Sequence, residues 1–186
     1  GLEDVLLLKT DNAGNVQWAN AIGGSAYDYG YCIRQTSDGG YIATGYTQSA
    51  GSGSEDVLLL KTDASGTVSW LKAIGGSGSE LGTFILQSSS GSFLISGATD
   101  GYGAGADDAL LVKTGSDGSL QWAKAYGGAA DNEKIFSLQS INGGGYMLSG
   151  RAKSFGNGSE FYLLKTDSAG SSGCNESQIT PVVQTV

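Results

Sequence analysis

The chain repeats itself along its length, and the repeat limits the folds that are open to it. A motif of aliphatic residues followed by Lys and Thr occurs four times, always 52 residues apart, with its lysine at Lys9, Lys61, Lys113 and Lys165. The tryptophans keep the same step at Trp18, Trp70 and Trp122, and Cys174 stands at the fourth equivalent position. Such a period indicates several copies of one supersecondary unit, each burying apolar surface against the next copy.

Within each repeat the sequence predicts four short β-strands. Runs of aliphatic, β-branched and aromatic residues alternate with Gly, Asn, Asp and Ser, which favour turns. In one repeat the predicted strands cover residues 81–88, 93–99, 108–114 and 120–126. No segment keeps apolar residues at helical spacing over three turns, and the 32 glycines would destabilise helices. We therefore predict an all-β chain.

The length of the repeat favours a β-propeller, in which each blade is a four-stranded antiparallel sheet. Propeller repeats are about 40 to 50 residues long, whereas β-helices and leucine-rich solenoids have periods below about 30, and sandwiches need no repeat. The repeats start near positions 4, 56, 108 and 160 and predict about 3.5 blades over residues 1–172. Residues 173–186 leave the repeat, and we expect a closing strand or a C-terminal linker there.

One recurring motif resembles that of a known family. The pattern Thr-Asp-x-x-Gly-x-x-x-Trp begins at Thr10 and returns at Thr62. It resembles the tryptophan docking motif of quinoprotein-like propellers, and the longer Gly-rich repeat is similar to propeller repeats of secreted bacterial and archaeal proteins. The resemblance covers residues 1–172 and implies that each tryptophan packs between adjacent blades. It implies little about function, because propellers host many activities.

An open array of blades leaves apolar faces and strand edges without partners. The first residues match the middle of a repeat, which favours the C-terminal part of a longer propeller. Two half-rings that form a homodimer are the second interpretation, and a single small ring is the third. The expected partners are therefore other blades of the same ring or a second copy of the chain.

The charge of the chain argues against some other partners. Ten basic and 18 acidic residues give a net charge of −8, which would repel nucleic acid and anionic membrane surfaces. No apolar run approaches the ~20 residues that cross a bilayer, so we expect neither nucleic-acid binding nor membrane insertion. Abundant Ser, Thr, Gly and Asn with few Lys and Cys indicate an extracellular or cell-surface protein.

Residues that commonly carry catalysis are scarce. The chain has no His, which removes the most frequent general base and metal ligand. Arg34 and Arg151 are too few for the arginine cluster of a sialidase, and Cys32 and Cys174 are not the adjacent cysteines of a quinoprotein dehydrogenase. We predict that the chain is not an enzyme, needs no cofactor and forms no disulfide.

The recurring aspartates and tryptophans are predicted to be structural. A catalytic residue would not recur in every blade, whereas a turn carboxylate that accepts backbone N–H groups would. The predicted turn residues are Asp11, Asp63 and Asp167. The predicted packing residues are Trp18, Trp70 and Trp122.

Ligand-binding residues are expected where the repeats differ. The variable loops after the second strand of each repeat carry Asp100, Tyr102, Phe155 and Asn157. Aromatic rings and hydrogen-bonding side chains in flexible loops are typical of sugar-binding surfaces, and an ordinary variable loop is the alternative.

Neighbouring acidic residues at equivalent positions of the repeat suggest a possible calcium site. They are Glu3 with Asp4, Glu55 with Asp56, and Asp107 with Asp108. Their spacing is not that of an EF-hand, so a calcium site is a minor hypothesis beside surface charge that keeps blades soluble.

These features favour a non-catalytic extracellular β-propeller that serves as a binding, adhesion or structural scaffold module, in contact with polysaccharide or a surface protein. A carbohydrate-binding lectin is the first alternative. The second is a fragment of an enzyme whose active site lies outside this chain.

Overall fold

The computed structural model describes residues 1–129, 132–153 and 158–186, and it confirms that the chain is all-β. In chain order the strands are β1 (Val5–Thr10), β2 (Val16–Ile22), β3 (Asp28–Gln35), β4 (Tyr41–Thr47), β5 (Asp56–Thr62), β6 (Val68–Gly75), β7 (Glu80–Gln87), β8 (Phe93–Thr99), β9 (Asp108–Thr114), β10 (Leu120–Tyr126), β11 (Lys134–Ser140), β12 (Tyr146–Ala152), β13 (Glu160–Thr166), β14 (Glu176–Ile179) and β15 (Val182–Thr185). The described residues include no helix that could span a membrane.

The strands form four antiparallel sheets that follow one another along the chain. Sheet A pairs β1 with β2, and sheet D has the order β11-β12-β13. Sheet B has the order β15-β6-β5-β4-β3, and sheet C has the order β14-β10-β9-β8-β7. Sheets B and C thus each contain four consecutive strands and one strand from the C-terminal segment.

The predicted strand boundaries in sheet C are confirmed to within one residue. β8, β9 and β10 begin and end where the pattern predicts, and β7 covers Glu80–Gln87 instead of residues 81–88. The hairpin turns close through glycines such as Gly66 and Gly118, whose φ angles are 83° and 78°. Residues with a side chain rarely adopt this left-handed backbone conformation. The recurring turn glycines therefore fix the positions of the hairpins.

The apolar core lies between successive sheets. Strands β5 and β8 are buried along their whole length, as expected for strands covered on both faces. Strand β7 of sheet C contacts β3, β4 and β5 of sheet B, and β11 of sheet D contacts β7, β8 and β9. Separate clusters of buried side chains fill the A–B, B–C and C–D junctions. Each sheet therefore packs on the next sheet in the sequence.

The C-terminal segment runs back along two earlier sheets. β14 pairs with β10, with Ile179 opposite Ala123, and β15 pairs with β6, with Val183 opposite Ile74. Both strands are added at the outer edge of a sheet, beyond the fourth strand of the repeat. They cover edges that would otherwise expose unpaired N–H and C=O groups.

Candidate functional site

Each tryptophan lies at a junction between two sheets, against the turn glycine of the following sheet. The shortest distance from the indole ring to the position of a Cβ on that glycine is 2.8 Å for Trp18 and Gly66, 3.1 Å for Trp70 and Gly118, and 2.8 Å for Trp122 and Gly170. Each ring also contacts an aromatic ring of the following sheet, in the pairs Trp18–Tyr41, Trp70–Phe93 and Trp122–Tyr146. The same contact thus joins sheets A to B, B to C and C to D.

The recurring aspartates hold hairpin turns. Oδ1 of each accepts the N–H groups two and four residues ahead, at 2.8–2.9 Å, in Asp11, Asp63 and Asp167. Side-chain and backbone hydrogen bonds, led by those from Asn15 and Ser65, lower the pKa of Asp11 and Asp63. In the third repeat the turn begins at Gly115, and Asp117 accepts the Ser119 N–H at 3.0 Å.

Two of the four predicted ligand residues can be placed. The carboxylate of Asp100 accepts the N–H of Ser79 at 2.5 Å, although the residue itself is exposed. Tyr102 is half-buried against the B–C core, with its hydroxyl 3.5 Å from the carbonyl oxygen of Gly75. Both side chains therefore contact backbone groups of a neighbouring segment. Phe155 and Asn157 lie outside the described residues.

A pair of carboxylates converges on a glycine at each junction between sheets. The pairs are Asp4 with Asp28 at Gly23, Asp56 with Glu80 at Gly75, and Asp108 with Glu133 at Gly127. The first acid of each pair belongs to one sheet and the second lies at the start of the next. At each junction the backbone N–H of the second acid donates a hydrogen bond of 2.7–2.8 Å. The acceptor is the backbone carbonyl of the residue that precedes the first acid.

The two later pairs are buried, and burial raises the pKa of three of their carboxyl groups. Loss of solvent raises the pKa of Asp56 to about 6, and raises that of Glu80 as well. It also raises the pKa of Asp108 to about 6, with a further contribution from the negative charge of Glu133. The Ala104 N–H has a smaller, opposite effect on Asp108. These carboxyl groups therefore lose their protons at a higher pH than ordinary carboxyl groups do.

The pairs differ in how their charge is compensated. Glu80 accepts the Gly76 N–H at 2.7 Å and the Thr99 hydroxyl at 2.8 Å. Glu133 accepts the Lys153 N–H at 3.2 Å. Within the described part of the chain, neither carboxylate oxygen of Asp108 accepts a hydrogen bond of normal geometry.

Four tyrosines that the sequence analysis did not select form a surface cluster, called here the tyrosine patch: Tyr27, Tyr29, Tyr31 and Tyr46. Ring centroids are 4.9 Å apart for Tyr29 and Tyr46, 6.3 Å for Tyr27 and Tyr29, and 6.0 Å for Tyr31 and Tyr46. A hydrogen bond with Glu3 raises the pKa of Tyr29 to about 12. The alternation of Tyr at positions 27, 29 and 31 was the available signal, because alternate residues of a strand share a face.

The tyrosine patch borders a cavity of about 300 Å³ beside sheet A. Its lining combines carboxylates with aromatic and aliphatic side chains, including those of Glu3, Asp28, Tyr29, Tyr31 and Leu6. Tyr31, which also lines this cavity, is 53% exposed. Aromatic faces beside fixed oxygen acceptors can stack on a sugar ring and bind its hydroxyl groups.

Comparison with known proteins adds no family assignment. No protein family model matches the chain, and a search of the curated proteins finds no match. Functional conclusions therefore depend on the geometry of the sheets, their junctions and their exposed faces.

Proposed function

We propose that the four sheets are blades of a β-propeller, and that the protein is a non-catalytic extracellular binding or scaffold module. The uniform order of the sheets and the recurring Trp–Gly contact at every junction support this proposal. Equal modules related by one repeated contact lie around an axis when each contact adds the same rotation. The scaffold role depends on what the two end sheets present to solvent.

The observation that carries the proposal is an exposed apolar face on sheet A. Leu6 is 67% exposed and Leu8 is exposed beside it, although both lie in a regular strand. Their equivalents one repeat later, Leu58 and Leu60, are buried in the A–B junction. This face of sheet A is therefore of the kind that packs on a preceding sheet.

Sheet D exposes the opposite kind of face. Phe161 is 76% exposed, and Leu163 on the same side of β13 is also exposed. Their equivalents one repeat earlier, Ala109 and Leu111, are buried in the C–D junction. This face of sheet D is therefore of the kind that packs on a following sheet.

The two end faces are complementary halves of the junction that the chain already forms three times. Each therefore fits a blade of the same repeat, which a second copy of this chain supplies when the chain is alone in solution. Contacts between unlike faces of identical chains close into rings when the rotation allows it. The proposed scaffold thus assembles through its end blades.

Self-association of matched variants tests the proposal. We expect the mass in solution, measured by light scattering after size exclusion, to exceed that of a monomer and to fall to it for Leu6→Lys and Phe161→Lys. A mixture of the two variants should regain one contact, because each retains the face that the other lacks. Val182→Lys, at an exposed position on β15, is the control that should not change the mass.

Two results would contradict the scaffold role. One is a wild-type chain that stays monomeric at high micromolar concentration. The other is a mixture of Leu6→Lys and Phe161→Lys that associates no better than either variant alone.

A lectin is the second candidate function, and the tyrosine patch is the observation that favours it. We expect Tyr31→Ala to weaken binding to any oligosaccharide that a glycan array identifies, because the exposed ring is the stacking surface. Phe136→Ala is the matched control, since Phe136 is an exposed aromatic at the equivalent bulge in sheet D. An array without any signal, or equal losses in both variants, would exclude the tyrosine patch as a sugar site.

A further inference from the structure

The junction between sheets C and D contains two acidic side chains that are almost completely buried. Asp108, the first residue of β9, is 1% exposed, and Glu133, just before β11, is 0% exposed. A Cβ placed on Gly127 would collide with Oδ1 of Asp108 and lie 2.6 Å from Oε2 of Glu133. Oxygens from two different sheets therefore converge on the same side of Gly127.

The charge of Asp108 is only weakly compensated by the protein groups around it. Among residues 1–129, 132–153 and 158–186 neither of its oxygens has a hydrogen bond of normal geometry, and the nearby Ala104 N–H lowers its pKa by less than burial raises it. The nearby lysines bind other acids: Lys134 pairs with Asp107 at 2.8 Å, and Lys124 pairs with Glu176 at 3.1 Å. An ionised carboxylate buried in this way is costly unless a proton or a cation neutralises it.

A cavity adjoins this carboxylate. It measures about 240 Å³ and is lined by Gly103, Ala104, Asp108, Ala125, Gly127, Asn175, Glu176 and Ser177. The Gly103 and Ala104 segment has no side chain larger than a methyl group, so its backbone can approach a ligand closely. The cavity is far larger than a single ion needs and has room for bound water as well.

The chemistry of the oxygens around the cavity selects the class of ligand. The wall contains carboxylates, an asparagine side chain and backbone groups, whereas the chain has no His at all. Oxygen ligands in an irregular loop suit Ca²⁺, which accepts six to eight oxygens in flexible geometry. Zn²⁺ prefers nitrogen and sulfur ligands, and Mg²⁺ demands a stricter octahedron.

We propose that Asp108 and Glu133 bind a Ca²⁺ ion at the C–D junction, between the two carboxylates that converge on Gly127 and beside the cavity that Asp108 lines. No group of three or more acidic, Cys or His side chains is placed to hold a metal in the described part of the chain. Backbone carbonyls and water would have to supply the remaining ligands. The inference is independent of the proposed scaffold function.

Bound calcium would connect sheet C to sheet D, because its two carboxylate ligands come from different sheets. The native state would then be stabilised by the free energy of binding, whereas the unfolded chain has no assembled site. We expect the melting temperature at pH 7.5 to rise by about 5–10 °C when free Ca²⁺ reaches a hundredfold excess over its dissociation constant.

The test compares the wild-type chain with Asp108→Asn and Glu133→Gln by thermal melts in EDTA and in CaCl₂, with isothermal titration calorimetry of CaCl₂ alone. Both variants should lose the calcium-dependent rise while remaining folded in EDTA, since each keeps the size of the side chain and removes a buried charge. Asp4→Asn, at the equivalent but exposed position of sheet A, should retain the rise.

Acidification separates a calcium site from a pair that binds only a proton. The calcium-dependent rise should shrink between pH 7.5 and pH 5, because protons compete for the same oxygens. A wild-type chain with no heat of calcium binding and equal melts in EDTA and CaCl₂ would overturn the proposal. A rise that persists in Asp108→Asn, or one given equally by MgCl₂, would also overturn it.

Discussion

The Trp–Gly contact between sheets can be tested by adding one methyl group at equivalent turns. Gly14 and Gly66 occupy the same position of the repeat, and their φ angles are 84° and 83°. A Cβ on Gly14 would meet nothing within 4 Å, whereas a Cβ on Gly66 would lie 2.8 Å from the ring of Trp18. Alanine at either site therefore has the same backbone penalty, and only Gly66→Ala also disturbs the junction.

The expected destabilisation combines a backbone cost and an overpacking cost. A left-handed conformation costs a residue with a Cβ about 1–2 kcal/mol, which applies to both variants. Overpacking a filled site costs about 1–3 kcal/mol more, which applies to Gly66→Ala alone. We expect Gly66→Ala to melt about 2–12 °C below Gly14→Ala, given that 1 kcal/mol shifts the melting temperature of a chain of this size by about 2–4 °C.

Urea unfolding of both variants measures the difference, and a double-mutant cycle identifies its origin. In a Trp18→Ala background the extra cost of Gly66→Ala should decrease, because the ring is one of the two groups that the methyl group would meet, the other being Nδ2 of Asn20 at 2.9 Å. Equal destabilisation by Gly14→Ala and Gly66→Ala, or an extra cost that is unchanged by the loss of Trp18, would refute the junction contact.

Further predictions concern charge, turns and the C-terminal strands. In EDTA the free energy of unfolding of the wild-type chain should fall relative to that of Asp56→Asn and Asp108→Asn as pH rises from about 4 to 6, by up to about 3 kcal/mol for each site. The reason is that burial raises the pKa of both carboxyl groups to about 6 in the folded state, whereas acids with a lowered pKa, such as Asp63, have the opposite effect in all three chains alike; urea titrations of the three chains at pH 4 and 7.5 measure this, and a difference between wild type and variant that does not change with pH contradicts it. Asp63→Ala should lower the melting temperature by roughly 2–4 °C, because two backbone N–H groups lose their acceptor; calorimetry giving no change would exclude the turn role. Deleting residues 176–186 should expose the edges of β10 and β6, lowering the melting temperature and increasing aggregation in light scattering; an unchanged chain would show that these strands do not protect the edges.

The strands were predictable because the repeat supplied the same signal several times. Aliphatic runs bounded by turn residues located β8, β9 and β10 to the residue, and the period linked Trp18 to Trp70 before any contact was known. The C-terminal strands could not be located in the same way. They are four residues long, lie outside the repeat and pair with strands more than 50 positions away, as in Ile179 with Ala123.

The sequence predicted only part of the acidic site. Adjacent acids such as Asp107 and Asp108 suggested pairs, but neighbouring residues in extended chain point to opposite sides. The partner that the fold brings to Asp108 is Glu133, 25 positions later and in another sheet. Its identification required the packing of sheet C on sheet D, which local sequence does not encode.

A crystal structure of the self-associated chain would examine the arrangement of the sheets as a whole. We predict sheets that radiate from one axis, with β3, β7 and β11 nearest to it and Leu6 of one chain buried against Phe161 of another. A straight stack of sheets, a two-layer sandwich or a solenoid would contradict it.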